Sequence, residues 1–324
     1  MINTNKLMVS HAPFWHNGDS ICKMNMHILF ALLPAALFGI NLYGPSAIGV
    51  LSIAVATAMM WELAFNVVTK QKISIGDLNA AVIGMVFGMM LPATAPWWAV
   101  VVGTFVSIII AKMIFGGHGA NPFHPALVGM AFIMLSWKAL LDFDAAYVNY
   151  DFAFTALAPL PAVRFLGPEA LDGFFPASSL IMGQQVGSIG GVFGLGLIIG
   201  GVYLILKGYI RWEIPASFIV GIALTSYLFH LANPGQYAGP VIHLFSGYTM
   251  LAAFFIITEH SSSPVNTIPM LIYGFAGGVI IMLMRSIGMY EDGIVFGVLL
   301  MNLINPLIDN IRPKALGRRE NNHA

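Results

Sequence analysis

Glu62 sits in the apolar run Met60-Trp61-Glu62-Leu63. A carboxyl near the middle of a bilayer costs roughly 2.5–3.5 kcal/mol or more, so it normally faces a partner or a wet cavity. The residue type fits an ion or proton ligand, and it also fits a packed, neutral carboxyl. His27 and His243 lie in similar apolar surroundings. An imidazole there is a relay group or a structural hydrogen-bonder. Glu62 and His243 are the candidates for an ion path. Lys112 and Arg285 are expected to snorkel towards opposite surfaces.

Two glycine-rich stretches could hold a ligand. Residues 115–126 carry Gly116, Gly117 and Gly119, then Pro122 and Pro125. His118 and His124 have no third ligand at metal-binding spacing, so no metal site is expected. The second stretch, Gly187-Ser188-Ile189-Gly190-Gly191, opens a later apolar run. Glycines there suit tight helix packing. They also suit the approach of a phosphate to backbone N–H groups at a helix N-terminus. Walker loops, Rossmann fingerprints and catalytic triads are missing, and no residue is assigned a catalytic role.

The elements that must position these residues are helices in a membrane. Hydrophobic residues make up 58% of the chain and charged residues 9%, against about 45–50% and about 25% in soluble domains. The reading is an all-α polytopic membrane protein of about ten transmembrane helices. The expected spans are 24–43, 46–69, 79–92, 97–115, 122–141, 186–207, 212–231, 240–258, 267–284 and 293–307. Net charge is zero, and no basic stripe invites nucleic acid. The single cysteine, Cys22, excludes disulfides and iron–sulfur clusters held within the chain.

Lysine and arginine placement sets orientation. With a cytoplasmic N-terminus, the inner segments hold Lys6, Lys23, Lys70, Lys72, Lys112, Lys207, Arg211, Arg312, Lys314, Arg318 and Arg319. The outer side holds Lys138, Arg164 and Arg285, a split of 11 against 3. Both termini are expected in the cytoplasm. The organisation reads as a 1–23 N-terminal segment, a first five-helix half over 24–141, and an outer loop over 142–185. A second five-helix half over 186–307 and a 308–324 tail follow. Two five-span halves are necessarily inverted, a plan known among transporters. The loop carries Asp142, Asp144, Asp151, Glu169 and Asp172 against Arg164. Its aromatics and prolines, Phe152, Phe154, Pro159 and Pro161 among them, predict an ordered pad against other protein.

Several motifs, in order and over nearly the whole chain, carry a family resemblance. They are Asp77-Leu78-Asn79-Ala80-Ala81, the stretch from Gly116 to Ala126, and Gly183 with Gly187-Ser188-Ile189-Gly190. Thr258 to Val265, Tyr290-Glu291-Asp292-Gly293 and Pro306 to Asp309 complete the set. The chain resembles the D subunit of the Rnf ion-translocating electron-transport complex. The B subunit of the sodium-translocating NADH:quinone oxidoreductase is its longer relative. The resemblance implies a multi-pass subunit of the prokaryotic cytoplasmic (inner) membrane, with other membrane and peripheral subunits as partners. It implies electron transfer between ferredoxin and NAD, coupled to movement of Na+ or H+. It also implies a flavin, FMN or riboflavin, with FMN usually esterified to a threonine of the outer loop.

At that position the sequence departs from the family. The matching run is Thr155-Ala156-Leu157-Ala158-Pro159-Leu160, so Ala158 stands where the acceptor threonine is expected. An alanine has no oxygen to form the ester. The usual attachment is therefore not expected. Thr155 is the nearest displaced hydroxyl, and Ser178 and Ser179 follow later. A non-covalent flavin is expected where the loop meets Gly187, Ser188 and Gly190. Smaller departures are Gly191 and Glu259. Two other classes remain beside the ion pump: a small-solute channel of the urea-transporter kind, and a flavin-free scaffold of the same complex.

Overall fold

The computed structural model describes residues 18–168, 173–288 and 290–311. The regular structure of the described residues is all helix, with no strand among them. Glu169 and Asp172 of the outer loop lie outside them, as do Lys6, Arg312, Lys314, Arg318 and Arg319.

Local chemistry sets the first corner. Helix α1, Ile21–Tyr43, starts where the Ser20 side chain accepts from Lys23 N–H. It ends at Gly44, which adopts φ 71° and donates its N–H to Ile40. Pro45 then opens α2, Pro45–Val68, at the first position, where no N–H is needed. Helices α3, Asn79–Met90, α4, Trp97–Phe105, and α5, Pro125–Ser136, follow. Helix α4 continues as a π-helix over Val106–Met113.

The described residues of the outer loop form three short helices: α6, Phe143–Ala146, α7, Pro159–Leu166, and α8, Ala177–Met182. The loop docks through aromatic rings. Tyr147 is buried and stacks on Tyr43 at 4.5 Å. Its hydroxyl accepts from Ala93 N–H at 2.8 Å. Phe152 stacks between Tyr150 and Phe154.

Beyond the loop come α9, Gly194–Leu206, α10, Glu213–Ala232, α11, Pro240–Phe245, and α12, Thr249–Leu251 with a π-helix over Ala252–Ile256. Helices α13, Thr267–Ser286, and α14, Ile294–Ile308, complete the order. Among the described residues four helices, α1, α2, α10 and α13, are long and apolar enough to cross a membrane, and five shorter apolar ones accompany them. Gly221 and Gly278 let α10 and α13 approach closely. A Cβ at Gly221 would stand 2.5 Å from the Phe275 carbonyl oxygen, and one at Gly278 the same distance from that of Phe218. Small residues at crossings allow this packing in lipid.

Three expected spans need correction. Residues 186–193 are not helical, so the run expected from 186 becomes helix only at Gly194. Helix α3 has 12 residues, about 18 Å at the usual rise. Its end meets that irregular segment: Gly190 N–H donates to Met89 O at 2.8 Å, and Ile189 N–H to Leu91 O at 3.1 Å. Irregular backbone at membrane depth survives only inside protein, and Leu91, Val186, Ile189 and Val192 are all buried. The run 240–258 is broken at Ser246–Tyr248, where Gly247 takes φ 66°. The run 122–141 forms α-helix only over Pro125–Ser136.

Candidate functional site

Lys112 does not snorkel. It lies on the π-helical part of α4, a rare geometry that recurs at functional sites. Its Nζ is 2.7 Å from Glu62 Oε2, and both side chains are 1% exposed. Ser74 donates its hydroxyl to the other carboxylate oxygen, and Asn66 Nδ2 donates to Ser74 Oγ at 2.9 Å. Glu62 therefore has a buried cation and a half-buried hydroxyl as partners. Such a pair resolves the cost of a lone carboxyl in hydrocarbon.

Arg285 does not snorkel either. It is buried near the end of α13. Its Nη1 donates to the His243 carbonyl at 2.7 Å, and its Nη2 to Asp292 Oδ1 at 2.8 Å and Thr249 Oγ1 at 2.9 Å. Asp292 Oδ2 in turn accepts from Tyr248 N–H at 2.8 Å. This network ties the break at Ser246–Tyr248 to α13 and to the segment before α14.

A third polar cluster joins the two glycine- and serine-rich loops. Asn121 Nδ2 donates to Glu259 Oε1 at 3.0 Å, and Ser261 and Ser262 donate to the same carboxylate. Asn302 accepts from His124 N–H at 3.1 Å and donates to Tyr273 at 2.7 Å. His118, His124 and Glu259 line a small cavity of about 50 Å³ beside these residues.

The large cavity, about 590 Å³, lies under the outer loop. Ala158, Gly187, Ser188 and Tyr248 are on its wall, with Phe143 and Phe165. Ala158 is the residue before α7. It is buried, and its N–H donates to Asp144 Oδ1 at 2.7 Å. Asp142, Asp144, Glu291 and Asp292 face the cavity against Lys138. Burial raises the Asp144 carboxyl above the usual range, and burial does the same to Glu291.

The residues expected to bind a cofactor divide. Gly187 and Ser188 are on the wall of the large cavity, whereas Thr155 and Gly190 are not. The expected phosphate cradle at a helix start does not form. The Gly187 N–H donates to the Tyr43 hydroxyl, that of Gly190 to Met89 O, and that of Gly191 to Ser188 Oγ. The helix begins later, at Gly194. His243 is buried on the wall of a neighbouring cavity, away from Glu62. Sequence reasoning missed the partners Lys112, Arg285 and Asp292. The signal was present, since Lys112 and Arg285 follow long apolar runs as Glu62 does.

Comparison with known proteins decides the lineage. The model of the NQR2, RnfD, RnfE family matches residues 8–317. The chain belongs to this family. The D subunit of an ion-translocating oxidoreductase complex from Salmonella arizonae is 34% identical, over 96% of this chain and 99% of the relative. The D subunit of a Na(+)-translocating ferredoxin:NAD(+) oxidoreductase complex from Acetobacterium woodii is also 34% identical, over 95% of this chain and 94% of the relative. The corresponding D subunit from Salmonella typhimurium is 33% identical, over 96% of this chain and 99% of the relative. These relatives are subunits of ion-translocating oxidoreductase complexes, and the apolar helices fit a multi-pass membrane protein.

Proposed function

We propose that this chain is the membrane subunit of a redox-driven ion pump of the Rnf type. It relays electrons through a flavin and couples that flow to Na+ or H+ translocation. The observation that supports this reading is the 590 Å³ cavity bearing Ala158 on its wall, in a chain matched by the family model over residues 8–317. Ligand sites commonly have volumes of about 300–1,000 Å³, with apolar walls and a few polar groups. Tyr248, Phe143 and Phe165 give aromatic surface for an isoalloxazine ring. The bound flavin would accept and release electrons, while the protein sets its position and surroundings. The chain's own residues hold Asp144 at the cavity wall by the Ala158 N–H. Glu62 and His243 belong to the ion path; Lys112 is the buried counter-charge of Glu62, and Arg285, paired with Asp292, holds the His243 backbone carbonyl.

The test is made on the purified complex. Non-covalent flavin released by denaturation, together with electron flow driving ion uptake into sealed vesicles, is the expected result. Absence of both, with solute flux through the chain alone in liposomes, would instead favour the channel class.

The proposal includes ten spans in two inverted halves, in the prokaryotic cytoplasmic membrane, with both termini inside. With Cys22 removed, a cysteine at Asp151 should react with an impermeant reagent only from outside, and one at Lys70 only from inside. Both positions are exposed. Labelling at position 151 from the cytoplasmic side alone would invert the topology.

A further inference from the structure

A second outer cavity, about 240 Å³, adjoins the first, and Leu160 and Glu291 line both. Its wall carries Arg164, Gln236, His243 and Arg285. Two buried polar atoms there have no hydrogen-bond partner: Arg285 Nε and His243 Nδ1. Arg285 is 5% exposed and His243 8%. Buried donors nearly always find an acceptor. The other nitrogens of Arg285 are engaged by the His243 carbonyl, Thr249 and Asp292. Arg164 spends its outer nitrogens on the Gly288 and Tyr290 carbonyls, which anchors it at the cavity rim.

The two cavities differ in charge. Asp142, Asp144, Glu291 and Asp292 face the larger one against Lys138. A phosphate there would meet mostly carboxylates. The smaller cavity carries two guanidiniums and an imidazole on its wall with one carboxylate, Glu291, which also borders the larger; Asp292 pairs with Arg285 at Nη2 and leaves its Nε free. Guanidinium N–H groups bind phosphate oxygens through charge-assisted hydrogen bonds. The smaller volume suits a phosphate with its water and not a flavin ring.

We propose that the Arg164–His243–Arg285 cavity binds a phosphate group, in the assembled protein that of an FMN whose ring lies in the larger cavity. The flavin assignment rests on the function proposed above, whereas the oxyanion site does not. Ala158 removes the covalent tether, and the guanidinium and imidazole nitrogens next door hold the same end of the molecule by hydrogen bonds. A free phosphate or a lipid headgroup carries the same chemistry, and the experiment separates these sources.

The purified complex in nanodiscs, depleted of flavin, is titrated with FMN and with riboflavin by fluorescence quenching. FMN should bind about tenfold more tightly than riboflavin, the effect of roughly one added charge-assisted contact. Arg164→Gln and His243→Gln should each abolish that preference and leave riboflavin binding intact, which also shows that the variants are folded. If neither flavin binds, the flavin reading fails but the site is still tested. Phosphorus NMR line broadening of inorganic phosphate by wild type, absent in both variants, upholds a free-phosphate site. A phospholipid retained in native mass spectrometry by wild type and lost from both variants upholds a headgroup site. Equal affinity for FMN and riboflavin in wild type, with no variant-sensitive phosphate or phospholipid binding, overturns the proposal.

Discussion

Lys112→Met is expected to destabilise the protein by about 3–5 kcal/mol, the range for removing one partner of a buried ion pair. The carboxylate of Glu62 would then lie within the helix bundle with only Ser74 as donor. Glu62→Leu alone should cost a similar amount, since it strands the ammonium. The double variant Glu62→Leu/Lys112→Met should recover most of the loss, because apolar pairs of similar volume replace buried ion pairs nearly neutrally. Thermal unfolding of the four proteins in one detergent measures the cycle. The same double variant then separates stability from coupling. If Glu62 belongs to the ion path, the stable double variant should pass electrons and lose ion uptake. Full, normally pH-dependent uptake by that variant would reduce Glu62 and Lys112 to a structural pair.

The case of Lys112 shows what the sequence carried and what it withheld. The long apolar runs 24–43 and 46–69 located α1 and α2. The cost of charge in lipid singled out Glu62. That argument predicts a partner without identifying it, because the partner lies 50 residues away. Lys112 was legible only as a residue near the end of an apolar run, where snorkelling is the common outcome. The π-helical segment that carries Lys112 was not apparent from residue types. The glycines at 187–191 were legible as a place of close approach. Their preference could not reveal that the N–H groups would be taken by Tyr43, Met89 and Ser188. Those contacts cross between distant parts of the chain, and only packing decides them. Ala158 was the most informative single residue, since its meaning depends on a missing oxygen and not on geometry.

Ala158→Thr should create a covalent flavin site that the wild type is expected to lack. Co-expressed with a flavin transferase and denatured, the wild type should show no in-gel fluorescence. Thr155 is off the cavity wall, Ser178 is exposed, and the Ser179 hydroxyl donates to Gln184 at 3.0 Å. None of them presents a hydroxyl to the large cavity. Position 158 does face it, and its backbone is already fixed by the Asp144 contact and by Pro159. A threonine there gains an oxygen able to displace the phosphate-linked leaving group of the donor. Its fold should tolerate the change, because position 158 caps α7 and threonine is a favoured cap. The extra atoms have the cavity to enter. Ala158→Val supplies the same bulk without the oxygen and should stay dark. Mass mapping should place the modified peptide of Ala158→Thr on residue 158. A fluorescent wild-type band lost in Thr155→Ala would mean that the loop presents Thr155 to the transferase instead. Equal fluorescence in the threonine and valine variants would show that position 158 is not the acceptor.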